Sequence, residues 1–309
     1  MSVFGAMFQR VSVSKLQLAT SSLNNVNVRM MSAYSDYKSL NVTTPEAHVV
    51  SVELNRPEKM NAMNETLWGE IGDVFRKIDK DPDARVVLLS AAGKMFTSGI
   101  DLSDLTKLAS VIYGEDDIAR KNLTFYNQVL WYQDQFTDIE RCKKPVIACI
   151  HNACVGGGVD LITATDIRLG TVDSWFCVKE VDMGLAADVG TLQRLPKVIG
   201  NQSLVNELCL TARKMKSDEA VSCGLISRTY ADKEEMMKNA IELAKLIAAK
   251  SPVAVQGTKM HLVYSREHTV AEGLRNMSTW NMSMLQSEDV MKSAMASMNK
   301  DESPEFSNF

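Results

Sequence analysis

Three acidic residues and one run of glycines are the groups in this sequence that could do chemistry. Gly156-Gly157-Gly158 sits between the apolar stretch Val146 to Ile150 and a helix opening with Val159-Asp160-Leu161-Ile162. Glycines there let backbone N–H groups approach a ligand with no Cβ in the way, and a helix N-terminus adds partial positive charge. Such a place stabilises an anion, either a phosphate or the oxygen of an enolate. A tight turn would use the same glycines. No Gly-Lys-Ser/Thr follows, which disfavours a nucleotide phosphate loop, and the Gly-x-Gly-x-x-Gly spacing of a dinucleotide loop is missing.

The acids are Asp160 in the first turn of that helix, Glu180 just after Trp175-Phe176-Cys177-Val178, and Asp188 inside Gly184-Leu185-Ala186-Ala187-Asp188-Val189-Gly190. A carboxylate among small and apolar neighbours is unusual on a solvated face. Burial would raise its pKa towards the range where it exchanges protons near neutrality. The plain alternative is three surface acids, with Asp160 serving as a helix-start charge.

The elements that must position these groups can be read from periodicity. Val49 to Leu54 is expected to be a strand, broken by Asn55-Arg56-Pro57-Glu58. A helix follows, with Leu67, Ile71, Val74, Phe75 and Ile78 on one face. Val86 to Ser90 and Val146 to Ile150 are continuous apolar runs, as strands covered on both faces should be. Ile167 to Leu169 and Trp175 to Val178 are further strands. Residues 103 to 140 are expected to form a loop and then a helix. Alternating strands and helices predict a parallel sheet with crossover helices. From Thr191 onward the pattern is mostly helical, with Ser287 capping a last helix whose apolar stripe is Met291, Met295 and Met298. Such a stripe is expected to be core or subunit interface.

Bulk properties exclude several classes. The 309 residues carry a net charge of −4, which gives no reason to expect nucleic-acid binding or a membrane-surface protein. No apolar run is long enough for a membrane span. The six cysteines form no CxxC pair and do not cluster with the histidines, so no metal site is expected and the thiols should be reduced. Residues 1 to 35 are serine-rich, contain Arg10, Lys15 and Arg29, and have no acid before Asp36. That composition fits a mitochondrial transit peptide, and hence a matrix location, with a disordered basic tail as the alternative. Ser307-Asn308-Phe309 does not match the peroxisomal address Ser-Lys-Leu.

Four motifs, in order, resemble the crotonase (enoyl-CoA hydratase/isomerase) superfamily. Asn55-Arg56-Pro57 with Asn61-Ala62 is similar to its amino-terminal signature. Lys94-Met95-Phe96-Thr97-Ser98-Gly99-Ile100-Asp101-Leu102 resembles the first oxyanion-hole segment, and Lys144-Pro145-Val146-Ile147-Ala148-Cys149-Ile150-His151, running into Val155-Gly156-Gly157-Gly158, resembles the second. Gly190-Thr191-Leu192-Gln193-Arg194-Leu195-Pro196 is similar to the signature after the active site. The resemblance covers roughly residues 46 to 300. It implies a crotonase fold of class α/β: repeated ββα units forming a mostly parallel sheet spiral over residues 46–235, with a C-terminal helical oligomerisation region over 236–309.

Hydratases of the superfamily carry glutamate where this chain has Asp160, a second glutamate at Glu180, and glycine where it has Asp188. The pattern Asp, Glu, Asp resembles the Δ3,5-Δ2,4-dienoyl-CoA isomerase branch, as does Ser251-Pro252-Val253-Ala254-Val255-Gln256-Gly257-Thr258-Lys259. The resemblance implies that the N–H groups of Ser98 and Gly157 hold the thioester oxygen, that Ser98, Gly99, Ile100, Asp101 and Leu102 line the coenzyme A moiety, and that Glu180 and Asp188 move the protons with Asp160 in support. It implies a homo-trimer or homo-hexamer. It implies no cofactor, coenzyme A being part of the substrate. The alternatives are an enoyl-CoA hydratase, a Δ3,Δ2-enoyl-CoA isomerase, or a non-catalytic homologue.

Overall fold

The computed structural model describes residue 34 and residues 36–104, 117–299 and 304–309. Most of the leader expected over residues 1 to 35, and residues 105–116 of the expected loop, lie outside the described residues. Tyr34, inside that leader, is buried in the core and its hydroxyl donates to Asp81 at 2.8 Å.

Nine strands build two sheets among the described residues. The larger has the order β1 (Leu40–Glu46), β2 (Val49–Leu54), β3 (Val86–Ala91), β4 (Val146–Ile150), β6 (Ile167–Thr171) and β9 (Arg228–Tyr230). Val52 lies opposite Leu89, Leu88 opposite Ile147, and Cys149 opposite Leu169, all in parallel register. Only β1 runs antiparallel to its neighbour in this sheet, pairing Leu40 with Leu54. Sequence patterning did not mark β1. Its alternating burial and Pro45 suit an edge strand rather than an apolar run.

Both faces of the large sheet are covered, which explains the unbroken apolar runs. Val50, Val52, Leu89, Ala148 and Ile150 point to one side. There they meet Leu67, Ile71 and Phe75 of helix α1 (Glu65–Lys80) and Phe136 and Ile139 of helix α2 (Ile118–Arg141). Val49, Val86, Leu88, Ile147, Cys149 and Leu169 point to the other side. Helix α7 (Lys233–Ala248) closes it with Met236, Ala240, Ala244 and Ala248. The helix that spans the expected start of the C-terminal helical region at residue 236 thus packs into the sheet's own core.

The smaller sheet has the order β5 (Ala153–Val155), β7 (Trp175–Cys177) and β8 (Met215–Lys216). Strands β4 and β5, then β6 and β7, each come in succession before helical segments, giving the ββα turns of a spiral. Single bridges from Thr97 to Cys154 and from Met63 to Ile100 extend the small sheet by two more layers. Helix α3 (Gly157–Thr163) leaves β5, and helices α4 (Thr191–Val198), α5 (Gln202–Thr211) and α6 (Ser217–Ser222) follow.

Helices α8 (Pro252–Tyr264), α9 (Val270–Met284) and α10 (Glu288–Asn299) complete the fold. Ser287 caps α10 as expected, its hydroxyl accepting the N–H of Asp289. Met298 is 83 % exposed and Val270 79 % exposed, so these helices present apolar side chains outward in the single chain. Among the described residues no helix is long and apolar enough to cross a membrane. All six cysteines are free thiols, five buried and Cys223 half-buried.

Candidate active site

Gly156 breaks out of β5, and helix α3 begins at Gly157 with every residue through Thr163 buried. The first N–H groups of a helix have no partner within it, and the N–H of Gly157 has no acceptor among the described residues. A Cβ at Gly157 would lie 2.9 Å from Cε of Met63 and 3.4 Å from the Trp68 ring. A side chain there would have to displace the end of the buried Met63.

The second arm is the segment Ser98–Asp101. Here the structure corrects the expected donor. The Ser98 N–H is already used, donating to the Met60 carbonyl at 3.0 Å. The Gly99 N–H donates to the Thr97 hydroxyl at 3.1 Å, and the Asp101 N–H to the Met63 carbonyl at 3.0 Å. Ile100 alone in this segment has an N–H without an acceptor among the described residues. Its peptide plane is fixed because the Gly99 carbonyl accepts the Met63 N–H at 2.8 Å. Gly99 has φ +92°, and a Cβ there would lie 2.9 Å from the Val155 carbonyl oxygen, so the two arms meet at a glycine. Ile100 and Gly157 thus carry the N–H groups left without acceptors on the two arms among the described residues, with Ser98 holding the frame. A backbone donor leaves no mark in residue type, so only the hydrogen-bond accounting finds it.

The other residues of this segment fall as follows. The Asp101 carboxylate accepts from Ser103 and pairs with Arg56 at 3.1 Å, which holds it below the usual carboxylate range. Its role is to shape the turn. Leu102 is exposed.

The three acids are brought together. Asp160 is fully buried on α3, and its Oδ1 accepts the Thr191 N–H at the start of α4 at 2.5 Å. Its Oδ2 has no partner among the described residues. Burial, and secondarily the charge of Asp188, raise its pKa to about 6. Glu180 opens a short 3-10 turn after β7, and a side chain at Gly156 would sit 3.4 Å from its Oε1. The Glu180 carboxylate thus borders the glycine arm, with Oε2 buried and unpartnered. Burial, then the charges of Asp160 and Asp188, push Glu180 up to about 7. Asp188 lies between the turns at Gly184 and Gly190 and is exposed in the single chain, yet partial desolvation still raises it. Its backbone carbonyl is anchored by Gln133 of α2 at 2.6 Å.

Two N–H donors without acceptors among the described residues, beside carboxyl groups whose proton affinities are raised towards neutrality, are the groups that forming and reprotonating an enolate requires. The model of the family described as enoyl-CoA hydratase/isomerase matches residues 44–308, and the chain belongs to that family. It is 56 % identical over 290 residues to the mitochondrial Δ(3,5)-Δ(2,4)-dienoyl-CoA isomerase of Rattus norvegicus, covering 93 % of this chain and 88 % of the relative. It is 57 % identical over 260 residues to the same-named protein of Homo sapiens, covering 84 % and 79 %. Among solved structures it resembles the enoyl-CoA hydratase of Bacillus anthracis, with TM-score 0.78 and 25 % identity, covering 87 % of this chain and 99 % of that one.

Proposed function

We propose that this chain is a Δ3,5-Δ2,4-dienoyl-CoA isomerase acting in the β-oxidation of unsaturated fatty acids. One observation carries the reading. A third carboxyl, Asp188, stands with raised proton affinity beside Glu180 and Asp160. Adding water across a 2-enoyl thioester gives such a group no role. Moving a diene does, because a proton must leave C2 and another must arrive at C6, too far apart for one carboxyl to serve both easily.

Glu180 borders the glycine arm and takes the C2 proton. The negative charge spreads from the thioester oxygen over C2, C4 and C6, and the N–H groups of Ile100 and Gly157 stabilise it at oxygen. Losing one such donor costs about 3 kcal/mol of transition-state stabilisation. Asp188, protonated, delivers a proton to C6, leaving double bonds at C2 and C4. Asp160 keeps the N-terminus of α4 in place and tunes the other two carboxyls. No cofactor is needed, since the thioester supplies the electron sink.

The curated relatives described above are named mitochondrial, and the composition of residues 1 to 35 agrees with a matrix enzyme carrying a transit peptide. The outward apolar side chains of α9 and α10, among them Met282 and Met298, suit assembly into a homo-trimer or homo-hexamer.

The test is direct. With a 3,5-dienoyl-CoA thioester, the rise in ultraviolet absorbance of the conjugated 2,4-dienoyl product is expected from the wild-type chain. Asp188→Asn is expected to abolish it while the affinity for a saturated acyl-CoA stays unchanged. Full turnover in that variant, or hydration of a 2-enoyl thioester as the main activity, would overturn the reading.

A further inference from the structure

Thr97 is fully buried between the two arms of the donor hole and touches both. Its hydroxyl donates to the Asn61 carbonyl at 2.7 Å and accepts the Gly99 N–H at 3.1 Å. Those two bonds fix the peptide immediately before the one that carries the Ile100 N–H. Its backbone pairs with the other arm, the Thr97 N–H donating to Ala153 at 3.0 Å and the Thr97 carbonyl accepting from Val155 at 3.2 Å. Its methyl group faces Gly158, where an added Cβ would lie 2.4 Å from Cγ2. Asn61, which receives the hydroxyl, is itself fully buried with φ +53°, and its amide donates to Ala92 and Met95. The hydroxyl is therefore tied to a partner that cannot yield.

We infer that Thr97 is a positioning residue whose hydroxyl holds the Ile100 N–H in line with the Gly157 N–H on one oxygen, while its methyl serves only to pack against Gly158. The inference rests on the enolate chemistry proposed above. Its two halves separate chemically. Thr97→Val keeps the volume and removes the hydroxyl, leaving the Gly99 N–H and the Asn61 carbonyl without their partner. Thr97→Ser keeps both hydrogen bonds and removes only the methyl.

The experiment compares kcat, KM, melting temperature and the absorbance of bound 2,4-dienoyl-CoA. A donor pair aimed at the thioester oxygen draws electron density along the conjugated chain and moves its absorbance to longer wavelength. For Thr97→Val we expect kcat to fall about 10- to 100-fold, the range reached when reacting groups are misplaced by about an ångström, with KM nearly unchanged and the wavelength shift reduced. Thr97→Ser should keep the wavelength shift and most of kcat even where its melting temperature falls as far. Should Thr97→Val yield no folded protein, Thr97→Ala carries the same expectation. Rates and wavelength shifts that follow melting temperature alone, equal in the hydroxyl and non-hydroxyl variants, would overturn the inference. A wild-type chain that neither turns over the 3,5-diene nor shifts the bound chromophore would instead sink the functional reading itself.

Discussion

The wall that carries the Gly157 donor and the segment that carries Asp188 are built in opposite ways. From Gly157 to Thr163 every residue is buried, and Asp160 on that helix is pinned to the Thr191 N–H. From Val181 to Ala186 every residue is exposed, and beyond the single turn at Glu180–Met183 no regular element intervenes before α4. Stabilising charge on oxygen demands donors that do not reorganise during the reaction, and a helix start beneath two packed layers supplies them. Choosing which carbon receives a proton demands only that a carboxyl reach it. Loops supply that kind of variation on a fixed scaffold.

The sharpest way to break this contrast is at Glu180, the acid where wall and segment meet. Glu180→Gln removes the base and leaves the donors intact. We expect kcat to fall on the order of 10³-fold, within the span typical of a lost general base, with saturated acyl-CoA binding retained in a calorimetric titration. A variant retaining a tenth of the wild-type rate would assign the C2 proton elsewhere.

Asp160→Asn tests the wall itself. The amide oxygen still accepts the Thr191 N–H, so the fold should persist, but the buried charge is gone. Wild-type activity should decline as pH falls through about 7, where Glu180 becomes protonated. The Asp160 charge is one of the causes that raise Glu180, so in Asp160→Asn that decline should move to lower pH with a smaller loss of rate than in Glu180→Gln. Stability should respond as well. The folded chain keeps a proton on Asp160 that the unfolded chain releases between pH 3.8 and about 6. This group therefore costs nothing below that window and about 3 kcal/mol above it. Denaturant titrations at pH 5 and pH 8 should show that slope flattened in Asp160→Asn. An unchanged slope would count against burial of the charge.

The smallest effect is expected from Gln133→Ala, which frees the Asp188 carbonyl. One hydrogen bond is worth about 1 kcal/mol, so kcat should drop by roughly fivefold or less, with the acidic limb of the pH profile in place. A loss matching Asp188→Asn would mean that the segment depends on α2 far more than its exposure suggests.

The same contrast governs what the sequence could reveal. Strands β2, β3 and β4 are legible because both their faces are buried, so Val86–Leu89 and Val146–Ile150 run apolar without a break. Strand β1 is hidden because one face is wet, and β5, β8 and β9 because two or three residues carry no period, while β7 shows itself in the apolar run Trp175-Phe176-Cys177. The acids are legible as residue types in an improbable setting. The donors are less so. Ser98 and Ile100 are two residues apart, and nothing in their side chains says which N–H is free. That follows from Met60 and Met63, whose backbone groups reach this segment from the far side of a turn. Thr97 and Asn61 read as ordinary polar residues because their role lies wholly in which backbone groups they satisfy.

The turns at Gly184 and Gly190 bound a stretch of seven residues that enters and leaves the body at fixed points. Seen as an engineering unit, it is an interchangeable cartridge. Replacing it, acid included, by a stretch bearing glycine at position 188 would leave the sheet, the glycine wall and both donors untouched. The same chassis would then form the same enolate and quench it at a different carbon, or not at all. New reactions on this scaffold are therefore reached by exchanging a mostly exposed segment in which only Ala187 and Val189 must still fit the core.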